Sequence, residues 1–140
     1  MKPWLIVRLV LVTLGFVQGG LSPEVPAPPH MASSLLLVAF GFGVLGMLFV
    51  VGIQRINPRS AAQWRYPSWA INPFLFSEPL QFFHVASFFF ISGGAGACLR
   101  KLALGQELDL SLLFLPTLGV GTLAGVYACT YVYRSKMRGA

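Results

Sequence analysis

Hydrophobic residues are grouped into long runs, and the stretches between the runs hold nearly all of the charged residues and prolines. A membrane-spanning helix needs about 17–25 mostly apolar residues. Three runs meet this length, at about 35–53, 80–99 and 110–133. The pattern predicts an all-α fold, namely a polytopic transmembrane helical bundle built on these three spans.

The first 21 residues form a shorter apolar run, Trp4 to Val17, which Lys2 precedes and Arg8 interrupts. Such a segment can be a retained signal-anchor helix, with Arg8 extending to the lipid headgroups. It can also be a cleaved signal peptide, with a basic start, a short apolar middle and small residues at Gly19 and Gly20. Translation from Met31 is a third possibility. We favour the retained helix, which would be a fourth span.

The polar stretches divide the rest of the chain. Residues 22–33 contain four prolines, Pro23, Pro26, Pro28 and Pro29, and such a run favours an extended linker over a helix. Residues 34–140 form the predicted membrane domain, in which residues 54–79 are the longest loop between spans.

Composition excludes two broad classes of protein. Charged residues make up only 10% of the chain, which is too few to cover the surface of a soluble domain. Hydrophobic residues make up 56%, which is too many for a disordered protein. The formal net charge is +6, but no basic run exceeds Arg100–Lys101, so nucleic acid is not an expected partner. The expected partner is the lipid bilayer.

Basic residues predict the orientation, because cytoplasmic loops of membrane proteins are enriched in Lys and Arg. Three lie in loop 54–79 and three follow the last span, whereas the proline-rich linker has none and the 100–109 loop has two beside two acidic residues. We therefore expect a multi-pass protein of the plasma membrane (the inner membrane of a bacterium). Loop 54–79 and the C-terminus would face the cytoplasm, and the proline-rich linker would face outwards.

Small residues recur at helical spacing in all three spans. They let helix backbones approach closely, which is a main source of helix association in lipid. Three such stripes predict an intramolecular bundle, and homo-oligomerisation through one stripe is the alternative. The packing residues are Ala39, Gly43 and Gly46 in the first span, Gly93 and Ala97 in the second, and Gly121, Ala124, Gly125 and Ala128 in the third.

One polar stripe lies in the 80–99 span, where Gln81, His84 and Ser92 share a helical face. Histidine within a membrane is costly, so His84 is a candidate for proton relay or ligand contact. The structural alternative, which we favour, is a hydrogen bond between helices, to Thr130 or Tyr127.

Loop 54–79 combines basic and aromatic residues and is a candidate cytoplasmic interface. Its arginines can bind anionic headgroups, which we favour, or pair with Glu78. The residues of this interface are Arg55, Arg59, Arg65, Trp64, Tyr66 and Trp69.

The sequence contains no constellation typical of catalysis, of a metal site or of a bound cofactor, so we do not expect an enzyme. Our first hypothesis is a small accessory or interaction subunit that binds a membrane-protein partner or its own copy. The alternative is a small oligomeric transporter or channel in which the His84 stripe faces the pore.

Overall fold

The computed structural model describes residues 3–22, 29–56, 65–75 and 78–138 of the protein. These residues form four helices, which we number α1 (Pro3–Leu21), α2 (Pro29–Ile56), α3 (Pro79–Ala103) and α4 (Phe114–Arg138). A short 3-10 turn, Leu110–Leu113, leads into α4. The expected all-helical bundle is confirmed.

Local chemistry explains where three of these helices begin and where one of them ends. Proline is the first residue of α1, α2 and α3, a position where its missing N–H costs nothing. The α3 helix ends at Ala103, and Gly105 follows with a φ of 65°, which glycine adopts without steric cost. Asp109 then caps the 3-10 turn by accepting a hydrogen bond from the Ser111 amide.

The helices pack in the order α1, α3, α4, α2, so that α3 and α4 are the inner pair. Contacts along α1 and α3 rise together, from Arg8 with His84 to Gly20 with Gly96, and these helices are therefore parallel. The α3 and α4 helices are antiparallel, since Gly94 meets Pro116 near the end of one and the start of the other. A small apolar core of Leu80, Val126 and Cys129 joins them.

Among the residues that the structure describes, three helices are long and apolar enough to cross a membrane: Pro3–Leu21, Pro79–Ala103 and Leu110–Tyr131. The N-terminal run, which the sequence left open, is thus one of the three. In α2, the apolar stretch found among the described residues is shorter and covers Leu36–Gly46. The helix as a whole nevertheless contains the expected 35–53 run.

The structure shifts some expected boundaries. Residues 29–33 of the predicted linker belong to α2, because a proline at the first position starts a helix rather than preventing one. Residues 23–28 of that linker lie outside the described residues. The expected 110–133 span is divided into the 3-10 turn and α4.

Candidate functional site

Arg8 of α1 is fully buried and lies at the centre of the most polar part of the bundle. Its Nη1 lies 2.9 Å from Nδ1 of His84. Nη2 donates to Oε1 of Gln81 at 3.1 Å. Nε and Nη2 both donate to the carbonyl oxygen of Ile71, at 3.2 and 3.0 Å. One guanidinium therefore joins α1, α3 and the 65–75 segment.

Gln81 extends the same network from α3 into the 65–75 segment. Its Oε1 accepts a second hydrogen bond from the amide of Ser68 at 3.1 Å, and its Nε2 donates to the carbonyl of Tyr66 at 3.4 Å. Gln81 is fully buried, and hydrogen bonding of both ends of its amide is what such burial requires. The 65–75 segment is thus held against the bundle by two side chains, Arg8 and Gln81.

Aromatic rings enclose His84, which is 2% exposed. Trp69, Phe88 and Tyr127 each make an edge-type contact with the imidazole, at centroid distances of 5.7, 5.2 and 6.1 Å. Trp69 also lies beside Arg8, with the guanidinium carbon 6.0 Å from the ring centroid. Aromatic rings therefore line the polar network on the side of His84.

Ser92, the third residue of the predicted polar stripe, also faces α1. Its hydroxyl donates to the carbonyl of Val12 at 2.8 Å and lies within hydrogen-bond distance of the Phe89 carbonyl on its own helix. Gln81, His84 and Ser92 therefore all meet α1, and the stripe is a polar seam between two parallel helices.

His84 does make a hydrogen bond between helices, as expected, but the expected partners of His84 and the expected position of Arg8 are wrong. His84 bonds to Arg8 rather than to Thr130 or Tyr127, because Thr130 donates to Val126 on its own helix and Tyr127 offers only its ring. Arg8 does not extend to the surface, since the acceptors of α3 and the 65–75 segment fold around it.

The α1–α3 seam is also built on three glycines outside the predicted packing residues, Gly15, Gly19 and Gly96. A Cβ atom on Gly19 would lie 1.8 Å from the Gly93 carbonyl oxygen, and one on Gly96 would lie 2.0 Å from that of Phe16. A Cβ atom on Gly15 would lie 2.6 Å from the carbonyl oxygen of Phe89. The sequence does contain a signal for this contact, the spacing Gly15-x-x-x-Gly19. The small residues at the end of this run also fit a signal peptide, so the spacing did not by itself indicate packing.

Only some of the predicted packing residues lie close to a neighbouring helix. Gly93 faces Gly15, and a Cβ on Gly43 would lie 3.5 Å from the backbone of Gly121. A Cβ on Gly46 or on Gly121 would have open space around it. Of the remaining residues, Ala39 and Gly125 are buried, Ala97 is half-buried, and Ala124 and Ala128 are exposed along the groove between α2 and α4.

The residues of the predicted cytoplasmic interface lie in different environments in the structure. Arg65 is exposed and pairs with Glu78, with Nε 3.7 Å from Oε1, so the ion pair that the sequence left open is present. Tyr66 is exposed, whereas Trp69 turns inwards to Arg8 and His84. Arg59, Trp64 and the side chain of Arg55 lie outside the described residues.

The opposite end of the bundle carries a second ion pair. Nζ of Lys101 lies 2.7 Å from Oδ2 of Asp109, which ties the end of α3 to the turn before α4. Hydrogen bonds from Lys101 and from Ser111 lower the pKa of Asp109 to about 2. This carboxylate stays charged over the physiological pH range.

Cys98 and Cys129 are both free. Within the described part of the chain, no three residues among the His, Cys, Asp and Glu side chains are grouped as a metal site. Searches of protein-family models, of curated proteins and of solved structures found no match to this chain.

Proposed function

We propose that this chain is a small integral membrane protein that serves as a non-enzymatic accessory or interaction subunit, with α1 retained as a fourth helix. The observation that carries the proposal is the use of the polar stripe. Gln81, His84 and Ser92 all bond within the protein, to α1 and to the 65–75 segment, and therefore serve to hold the helices together.

Retention of α1 is supported by what its removal would leave behind. Without α1, His84 and Gln81 lose Arg8, and Ser92 loses the Val12 carbonyl. Unpaired polar groups in hydrocarbon cost several kcal/mol each by general estimates. A signal peptide needs no such complementarity to the mature chain, whereas a permanent helix does.

The helix directions support the proposed orientation. Because α1 and α3 are parallel and α4 is antiparallel to α3, the start of α1, the 65–75 segment and the end of α4 lie at one end. These three parts contain five of the ten Lys and Arg residues of the sequence, whereas the opposite end has two, Arg100 and Lys101. The positive-inside rule then assigns this end to the cytoplasm of a plasma membrane, the inner membrane of a bacterium.

The interaction role is supported by the outer surface of α2. This helix packs mainly on α4, and outside the groove between the two helices it exposes Phe42, Leu45, Leu48 and Phe49. Large apolar side chains on a membrane helix are suited to lipid and equally to the helix of a partner or of a second copy. A pore role for His84 has less support, because its ring is enclosed by other rings.

Photo-crosslinking in native membranes tests the interaction role. A photoreactive residue at Phe42 on α2 is compared with one at Val10, which is exposed on α1 at the opposite edge of the helix row. We expect a discrete protein product from position 42 and only lipid products from position 10. A product of twice the chain mass would identify a second copy as the partner.

Flux measurements on the purified protein in liposomes separate this role from the transport alternative. We expect no ion or proton flux above that of empty liposomes. Flux that disappears in His84→Gln, with no protein crosslink from position 42, would contradict the interaction role and favour a channel or transporter.

A further inference from the structure

The hydrogen bond between Arg8 and His84 constrains the protonation state of the imidazole. A guanidinium group has only donors and remains charged in proteins. At 2.9 Å from Nη1 of Arg8, Nδ1 of His84 must therefore act as the acceptor, and the imidazole must be neutral with its proton on Nε2. A protonated imidazole has no acceptor and cannot make this bond.

Within the part of the chain that the structure describes, no carboxylate contacts the imidazole directly to neutralise a second positive charge. From α1 the charged group is Arg8 itself, and from α4 the nearest ionisable side chain is Tyr127, which contributes its ring edge. Glu78, at the start of α3, contacts Gln81 and pairs with Arg65. Among the described residues, no ion pair includes Arg8 or His84.

Arg8 is at the same time the group that fastens the 65–75 segment to the bundle. It donates twice to the Ile71 carbonyl and shares Oε1 of Gln81 with the amide of Ser68. Displacement of the guanidinium from His84 would therefore also disturb its bonds to Ile71 and Gln81. The state of one imidazole is thus connected to the position of a whole segment.

We propose that Arg8 and His84 form a proton-operated latch, in which protonation of His84 expels Arg8 and releases the 65–75 segment from the bundle. The latch is closed while His84 is neutral and opens as the pH falls through the titration of His84. Binding of a proton and closure of the latch each disfavour the other by the same factor, because the two equilibria are linked. The latch depends on retention of α1, which the mass of the purified protein establishes separately.

Trp69 provides the readout, since it contacts both His84 and Arg8. Trp4→Phe and Trp64→Phe leave Trp69 as the single tryptophan of the chain. In lipid nanodiscs, acrylamide quenching of Trp69 is followed from about pH 8 to about pH 3, a range that extends well below the ordinary histidine pKa because closure of the latch disfavours protonation. We expect a reversible rise in the quenching constant as the pH falls.

Two variants assign the transition to a residue. His84→Gln retains a neutral acceptor for Arg8 that does not titrate, so quenching should stay at its low, neutral-pH level throughout. Glu78→Gln removes the nearby carboxylate and should leave the transition in place. A transition that persists in His84→Gln, or that disappears in Glu78→Gln, would overturn the latch.

Nitrogen NMR of the imidazole gives an independent test that does not depend on the folding of the His84 variant. The chain has two histidines, so His30→Gln leaves His84 as the single signal. We expect the Nε2–H tautomer at about pH 8, and loss of that signal in step with the rise in Trp69 quenching. The latch is refuted by the Nδ1–H tautomer, by titration of His84 without a change at Trp69, or by no change in either.

Discussion

Arg8 determines how the polar residues of the bundle are arranged. It carries a full charge at 0% exposure, and the acceptors around it are a carbonyl, a carboxamide and an imidazole. Neutral acceptors satisfy its donors without placing a second buried charge in the membrane. The guanidinium fits this role because its planar donors can bond to several acceptors at once.

Replacement of Arg8 should therefore destabilise the fold. Arg8→Ala removes the hydrogen bonds that Arg8 donates to His84, Gln81 and Ile71, and we expect a loss of about 2–3 kcal/mol in the free energy of unfolding. Arg8→Lys keeps the charge but not the fork of donors, so a smaller loss is expected. Unfolding in mixed detergent micelles measures both.

Arg100→Ala is the matched control for Arg8. Arg100 donates to the Ser22 carbonyl at 2.5 Å, in an exposed setting, and we expect a change within about 0.5 kcal/mol. Equal losses in the Arg8→Ala and Arg100→Ala variants would contradict the special role of Arg8.

Asp109 predicts a pH dependence at the other end of the bundle. Its pKa is lowered in the folded protein, so its stabilising contribution is complete above the unfolded pKa and is lost as pH falls from about 4 to about 2. Because the carboxylate is half exposed, we expect the contribution to be at most about 1 kcal/mol.

The pH dependence is measured by unfolding the wild-type protein and the Asp109→Asn variant over the same acid range. We expect the difference in stability between them to shrink as pH falls. A constant difference would show that the Lys101–Asp109 pair does not stabilise the fold.

At the level of helices, α1 and α3 approach each other closely. Backbone carbonyls of one helix lie where the other has glycine, as at Gly19 with Gly93 and at Gly96 with Phe16. In lipid, the hydrophobic effect does not drive helices together, so close approach of this kind stabilises the helix pair through dispersion contacts.

Gly19→Ala should disrupt this contact. The added Cβ would lie 1.8 Å from a backbone oxygen, so α1 must move away from α3, and overpacking of this kind costs about 1–3 kcal/mol. Gly121→Ala is the matched control, since it makes the same change at a site with open space. Thermal unfolding in detergent should show a clear loss for Gly19→Ala and none for Gly121→Ala.

The existence of the helices could be predicted because long apolar runs have few alternatives in a membrane. The Gly15-x-x-x-Gly19 spacing was available in the sequence, but its use could not be separated from a signal peptide without knowing what α1 packs against. Likewise, small residues mark faces that permit close approach, and only the helix positions decide that Gly19 is in contact while Gly121 is open.

The network around Arg8 was less predictable, because two of its four hydrogen bonds go to a carbonyl in a segment with no regular pattern. One signal did exist. Arg8 and His84 each lie five residues after the first residue of a helix, so parallel helices bring them to the same depth. The turn that carries the Ile71 carbonyl to Arg8 depends on tertiary folding that residue patterns do not encode.

At the level of the whole molecule, the four helices form a row in which α1 and α2 are the outer members. The outer position of α2 leaves a large apolar surface for lipid or a partner. Because α1 is an outer helix, its removal would leave the contacts among the other three helices in place. Its removal would, however, expose the polar residues of α3 that bond to it. The proposed function and the proposed latch both require that α1 remains.

The intact mass of the protein purified from membranes tests this requirement most directly. We expect the mass of a chain that retains residues 1–21, about the 15.2 kDa of the full sequence. A mass that corresponds to a chain starting near Gly20, or at Met31, would show that α1 is absent from the mature protein and would contradict the Arg8-centred bundle.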